Sequence, residues 1–464
     1  TGAMLDKADL AARCTPEDFT FPYTTAVAGG SPTADSSGDR DTTSLFAEFV
    51  MPLSNSISTQ FAARYEDTSD FGSEVVGKFA IGWNVSDSLL LRASASTAFR
   101  APNLVALNQP YLQRFNSDQS DWSKTFTDTD SGELSNWTYR RALGLQNLEA
   151  ETSENISVGL VFQPIEDLTM TADFYQITKE NGIGNLGTTN ETALDFLTRY
   201  RDAEANGFTA FADAEAALAV CNDLSASQYN ARVIRVAADD GDWDDMDSIA
   251  QSLGLCPLGN ISRVESNYEN LAERTVEGFD VGIYYEFDTD FGQFSTRYQA
   301  SFTTTLEQLA KPGTDADILN KAVESGEMSA AVEKLGGTSL AAVNIKGYNN
   351  ILGTDGNFED KHSARISWRK ADWSASLTAR RVGEFSQSML TLADGTEYML
   401  DAMTTFNVAA SYSFDVNNAR MKITLGSTNV TDERAPLAAD TYGYYSDVHN
   451  DYGRSVYLDV KASF

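Results

Sequence analysis

The stretch Ser455–Phe464, SVYLDVKASF, decides how the chain is to be read. Ser455, Tyr457, Asp459, Lys461 and Ser463 alternate with Val456, Leu458, Val460, Ala462 and Phe464. A period of two puts the sets on opposite faces of a strand. Upstream, Phe406, Val408, Ala410, Tyr412 and Phe414 oppose Asn407, Ala409, Ser411 and Ser413. Phe294, Tyr298, Ala300 and Phe302 oppose Ser295, Arg297, Gln299 and Ser301, and Met421, Ile423 and Leu425 oppose Arg420, Lys422 and Thr424. A one-sided soluble sheet also alternates, but these runs exceed the usual soluble strand. Charges keep to one face, as they must where a charge on the lipid side at mid-bilayer costs roughly 2 to 4 kcal/mol. The expected fold class is all-β, a transmembrane antiparallel barrel.

The same reading predicts thirteen strands, near 43–53, 57–66, 74–83, 88–97, 152–163, 168–178, 273–287, 292–305, 361–369, 373–384, 403–414, 419–428 and 454–464. Short turns such as Pro52 to Ser56, Asn84 to Asp87, Pro164 to Asp167 and Asp415 to Asn418 alternate with long segments, the largest near 98–151, 179–272, 305–360 and 429–453. Outer-membrane barrels sort their connections this way, with the long loops outside the cell. Residues 1–42 are then expected to be an extracellular loop segment and 43–464 barrel, with 179–272 as a large loop excursion. Within it, Glu191 to Arg201 and Ala210 to Val220 read as short helices of a folded cap. Single-chain bacterial barrels have even strand numbers. An odd count, and edges that lipid does not tolerate, lead us to expect completion by something outside this chain.

Composition narrows the function. The 34 Lys and Arg against 67 Asp and Glu give a formal charge of −33, which argues against a nucleic-acid partner. The same surplus of acid disfavours a strongly anionic ligand. No run approaches a transmembrane helix, while 11% aromatic residues suit a membrane barrel. Thr1 opens a segment without a basic or apolar leader pattern, so any signal peptide is expected to have been removed or to lie upstream. Cys221 and Cys256 bracket a polar loop and are expected to form a disulfide worth roughly 4 kcal/mol, which leaves Cys14 for a partner elsewhere.

Leu89 to Leu107, LLLRASASTAFRAPNLVAL, resembles the strongest internal signature of TonB-dependent outer-membrane receptors. NLEAETSENISVGLVF from Asn147, NLAERTVEGFDVGIYYEF from Asn270, TLGSTNVTDERAP from Thr424 and GRSVYLDVKASF from Gly453 resemble further strands of that family, in order. The resemblance implies a 22-stranded barrel filled by an N-terminal plug that recruits TonB and its inner-membrane energising complex. The thirteen strands would be its C-terminal ones, with the plug and nine early strands upstream, in the same or a separate chain. It also implies the outer membrane of a Gram-negative bacterium, with its lipid and lipopolysaccharide as surroundings. The implied function is TonB-driven import of a scarce bulky nutrient, ferric siderophore first and oligosaccharide second. The alternatives are a plugless passive porin and a structural or adhesive surface barrel.

No cofactor is expected, and catalysis is not, because His362 and His449 are the only histidines and neither sits in a nucleophile or metal motif. His449, alone in a loop, reads as solvated. Phe99, Arg100, Ala101 and Pro102 lie where a strand leaves the membrane, so Arg100 either contacts substrate or ties the loop base to carbonyls and carboxylates. Tyr111, Arg114, Phe115, Trp122, Trp137, Tyr139, Arg140 and Arg141 crowd one polar excursion and form either a ligand grip or the loop's own small core. Tyr442, Tyr444 and Tyr445 in the last loop join the candidates, while Tyr452 reads as part of an interfacial girdle. Asp239, Asp240, Asp242, Asp244, Asp245 and Asp247 surround Gly241; Asp240, Asp242 and Asp244 are weak calcium candidates, and a solvated acidic surface is the preferred reading.

Overall fold

In the computed structural model the described residues are 37–108, 112–116, 121–129, 138–142, 147–337, 349–392, 396–417, 419–440 and 442–464. Thirteen of their strands form one antiparallel sheet in which neighbours in sequence are neighbours in space. They are β1 (Thr42–Pro52), β2 (Ile57–Thr68), β3 (Gly72–Ser86), β4 (Leu89–Arg100), β5 (Glu151–Ile165), β6 (Leu168–Gly184), β7 (Glu269–Thr289), β8 (Gly292–Ala310), β9 (Asp360–Lys370), β10 (Trp373–Val382), β11 (Met403–Val416), β12 (Ala419–Thr428) and β13 (Ser455–Ser463). Each predicted strand has its counterpart. β1 and β13 are the two edges.

One face of the sheet exposes large apolar side chains, among them Phe49, Phe61, Val158, Leu377, Leu425 and Leu458. Water does not tolerate an apolar surface of that extent on a monomer, so lipid is its solvent. The opposite face is polar: Ser94 meets Ser157 at 2.9 Å, Ser411 meets Thr424 at 2.9 Å, and Arg92 reaches Asp173 with two bonds of 2.8 and 2.6 Å. Arg92 and Asp173 lie two strands apart, across Gly159 of β5. A Cβ at Gly159 would collide with the Asp173 carboxylate, so the missing side chain clears the way for the ion pair.

Strands β7 and β8 run 21 and 19 residues. At about 3.3 Å per residue they span roughly 60 to 70 Å, far more than an apolar band about 25 Å tall, even when tilted. Their loop ends therefore stand above the membrane and carry the cap.

The cap is helical. Its helices are α1 (Leu104–Asn108), α2 (Trp122–Thr127), α3 (Thr188–Ala205), α4 (Ala214–Cys221), α5 (Asp240–Asp244), α6 (Ser248–Ser252), α7 (Asp315–Glu324) and α8 (Glu327–Lys334). Phe196 and Leu197 of α3, Leu319 of α7, Met328 and Val332 of α8 and Leu271 at the foot of β7 form its buried core. Residues 112–116, 138–142, 261–265 and 233–235 make a four-stranded sheet beside it, and Phe385–Thr391 with Glu397–Leu400 make a separate hairpin. Among the described residues no helix is long and apolar enough to cross a membrane.

Cys221 and Cys256 are disulfide-bonded and fasten the end of α4 to the segment after α6. Replacing both by Ser is expected to destabilise this part of the cap by about 2 to 4 kcal/mol. Hydrogen exchange should accelerate in α4 and stay unchanged in the sheet strands; equal rates in α4 with and without the bond would contradict this.

Candidate functional site: the cap and the strand ends beneath it

The cap is joined from within by charge. Arg235, in the strand Val233–Arg235, donates to both carboxylate oxygens of Asp121 at 2.6 and 2.8 Å and to Asp195 of α3 at 3.0 Å. Asp195 also accepts from Arg199 at 3.0 Å and from the Asn230 backbone at 3.0 Å. Burial would raise the Asp121 carboxyl, but Arg235 overrides it and holds the group below the usual carboxylate range. Two loops, entering from β4 and from β6, are thereby bonded to each other.

A second knot adds a third loop. Glu191 of α3 accepts from Asn230 at 2.8 Å and pairs with Arg232 at 3.2 Å; Arg232 also pairs with Glu269 of β7 and lies 3.8 Å from Asp315 of α7. Burial dominates at Glu191 and pushes its carboxyl up to about 7, against the pull of Arg232. A carboxyl raised in the folded state binds its proton more tightly there than in the unfolded chain. Its stabilising contribution is thus complete below about pH 4.5 and is lost as pH rises through about 7. Glu191→Gln is expected to keep the cap at its low-pH stability through pH 8, a gain on the order of 3 kcal/mol there. Exchange rates in α3, corrected for their intrinsic pH dependence, read this out. An unchanged pH profile in the variant would refute it.

The sequence candidates fall into several places. Arg100 ends β4 and ion-pairs with Glu151, which starts β5 and is 2% exposed. Glu151 also holds Lys179 at 2.6 Å and accepts the Ile183 N–H at 2.9 Å, so three strand ends meet on one carboxylate. Beside it, Arg40 pairs with Asp70 at 2.7 Å, donates to the Pro102 carbonyl at 2.6 Å and lies over the Phe71 ring, which in turn contacts Phe99. These bonds stitch the loop base.

Trp122 packs against the cap core, its ring 5.8 Å from Phe126, and its indole nitrogen has no partner among the described residues. Arg114 and Phe115 lie opposite Arg140 and Tyr139 in the four-stranded sheet, with Arg141 next along the strand. Tyr111, Trp137 and Cys14 lie outside the described residues. In the last loop Tyr445 donates to the Asp355 carbonyl at 2.9 Å and meets Phe385 edge-on, whereas Tyr442 and Tyr452 are exposed. Tyr442 and Tyr444 pair with ring centroids 6.2 Å apart. The structure therefore distributes the aromatic candidates between the cap and the last loop.

The acidic run does not converge. Asp239 caps α5 through Gly241 and Asp242, Asp247 caps α6 through Ile249, and Asp242 pairs with Lys124 at 3.0 Å. Among the described residues no group of three or more His, Cys, Asp or Glu could hold a metal, and Asp240, Asp242 and Asp244 make no exception. His449 corrects the sequence reading: it is 4% exposed and stacked on the buried Phe385, because the hairpin Phe385–Leu400 folds against the last loop. Burial holds its imidazole below the usual range. His362 bonds to Tyr298 at 2.8 Å and to Asp360 at 2.9 Å.

The charge knots were missed in the sequence. Asp121, Glu191, Asp195, Arg232 and Arg235 belong to no local motif that pairs them, and only the short helix read at Glu191 to Arg201 fell on one of their elements.

Membrane-length strands, a lipid-facing apolar surface, a polar inner face and a folded cap at the long-loop end define an outer-membrane receptor barrel. A family model described as TonB dependent receptor-like, beta-barrel, matches residues 10–430, and the chain belongs to that family. The siderophore receptor PirA from Acinetobacter baumannii is similar in structure, with a TM-score of 0.54 and 13% identity over 92% of this chain and 47% of that one. A variant of the ferric enterobactin receptor PfeA from Pseudomonas aeruginosa gives 0.54 and 15% over 92% and 45%. This chain thus spans about half the length of the structures it matches. A search of curated proteins finds no match. The family resides in the Gram-negative outer membrane; its members are transporters, not enzymes, and pair a barrel with a plug domain and with TonB.

Proposed function

We propose that this chain is the cap-bearing portion of a receptor that captures a scarce, bulky nutrient at the cell surface and imports it with TonB-supplied energy, a ferric siderophore before an oligosaccharide. In this reading residues 1–42 belong to a surface loop, 43–464 to the barrel, and a plug with about nine further strands completes the receptor against lipid and lipopolysaccharide. The observation that carries the reading is the folded cap: two loops locked by the buried ion pairs of Arg235, and a third packed with them on one apolar core, over one end of the sheet. A passive pore needs an open mouth, and a rigid cap narrows it. The receptors similar in structure, PirA and PfeA, are described as siderophore and ferric enterobactin receptors, which supports iron complexes first.

The test is uptake of radiolabelled iron by the producing bacterium, with and without the gene, across ferric siderophores of different chemistry. One complex should enter in a gene-dependent way and stop entering when an uncoupler removes the proton-motive force. Entry that survives the uncoupler would mean a passive porin, and gene-dependent growth on an oligosaccharide without iron uptake would reassign the substrate.

A further inference from the structure

The last loop, between β12 and β13, docks on the hairpin of Phe385–Thr391 with Glu397–Leu400 and on the segment 349–359 that leads into β9. Gln387 and Ala439 exchange two hydrogen bonds across this seam, of 2.9 and 3.0 Å, and the Tyr445 hydroxyl donates to the Asp355 carbonyl. The Asp355 backbone N–H donates in turn to the Ser386 carbonyl at 2.8 Å. These bonds join uncharged groups and do not respond to pH between 5 and 8.

His449 does respond. Its ring stacks on Phe385 with centroids 5.7 Å apart and planes 11° from parallel, and Phe385 is itself only 1% exposed. The His449 Nε2 is enclosed and has no hydrogen-bond partner among the described residues. Because that atom is enclosed, no group outside the described chain reaches it while the loop is docked. The carboxylates of the surrounding elements stay at the surface: Asp355, Glu384, Glu397, Asp401, Asp440 and Asp447 are all exposed. Asp451 is taken by Arg434, which is exposed, as is Arg454. An imidazolium needs an acceptor for each of its N–H groups. Without one, and shut away from water, its charge is costly.

We propose that His449 makes the last loop an acid-released latch: protonation of the imidazole expels the ring from Phe385 and frees the loop from the hairpin. The docked ring binds a proton less tightly than the freed one. Its contribution to docking is therefore complete above about pH 6.5 and falls as pH drops below that, by up to about tenfold per pH unit. The Glu191 knot runs the other way, since it holds best in acid. One molecule thus carries a cap that acid tightens and a loop that acid lets go. Release would carry Tyr445 off the Phe385 ring, which it meets edge-on at 5.3 Å, and bare both. The latch does not depend on what the receptor imports.

The test is hydrogen exchange of the complete receptor purified from outer membranes, followed from pH 8 to pH 5 and corrected for the intrinsic pH dependence. Exchange in Phe385–Thr391 and in 442–452 should accelerate about tenfold between pH 6.5 and pH 5, while α3 does not accelerate. His449→Phe keeps a ring on Phe385 but cannot take a proton, and should hold both segments at their pH 8 rates throughout. His449→Leu, smaller and equally unable to titrate, should do the same. A flat profile in the native receptor overturns the proposal, as does the same acceleration in both variants. Acceleration of α3 in step with the hairpin also overturns it, because that is general acid unfolding. So does an undocked loop at pH 8 in both variants, since the imidazole would then be what docking requires.

Discussion

Arg235→Ala is expected to unfold the cap and leave the sheet in place. The guanidinium is 7% exposed and is the common partner of Asp121, itself 6% exposed, and Asp195, which is fully buried. Removing it strands one buried carboxylate without a counter-charge and leaves the other to Arg199 alone. Breaking a buried pair by deleting one partner costs about 3 to 5 kcal/mol, since the remaining charge has lost both water and partner. The cap also loses the bond between the loop that holds α2 and the loop that holds α3. Trypsin should cleave within 179–272 of the variant receptor in intact cells under conditions that leave the native protein whole. If cleavage is no faster, the ion pairs are not what closes the cap.

Phe196→Ala should cost about as much by a different route. The ring is 1% exposed and sits between Phe126 of α2, at 5.4 Å, and Tyr200 one turn further along α3, at 6.3 Å. Truncating a buried Phe to Ala costs about 3 to 5 kcal/mol through lost transfer energy and the cavity left behind. The signature differs from that of Arg235→Ala, because an apolar cavity has no charge to titrate. Phe196→Leu should recover most of the loss. Exchange in α3, α7 and α8 should rise together, as these helices share one core. Fast exchange confined to α3 would show that the helices are independently stable. Since Asp195 and Phe196 are adjacent, the two substitutions are expected to couple rather than add.

The thirteen-strand sheet was legible because lipid enforces alternation: a charge on the wrong face of β11 or β12 is costly, so period two survives in the sequence. Where lipid ends, the signal ends. β6 runs on to Gly184, β7 starts at Glu269 and β8 reaches Ala310, beyond the predicted 178, 273 and 305. Those extensions pack on the cap and have no fixed solvent side. α3 and α4 were anticipated with shifted ends, because Ala and Leu recur at helical spacing there. α7 and α8 were not, their apolar faces being as short as Leu319 and Ala322 or Met328 and Val332.

The cap's chemistry was less legible still. A carboxylate in sequence looks solvated until its partner is known, and Asp121 meets Arg235 across 114 positions. His449 misled for the same reason: what buries it is the hairpin at 385–400, which a local reading passes over.

The bond between Cys221 and Cys256 also dates the cap within the life of the molecule. Thiols of exported bacterial proteins meet a dedicated oxidising machinery in the periplasm. On the proposed surface placement of 179–272, a crosslink made there is acquired before strands β6 and β7 on either side of it are threaded into the bilayer. What crosses the membrane during assembly is then a closed ring of chain rather than a loose loop, and the insertion machinery has to open wide enough to let a ring through.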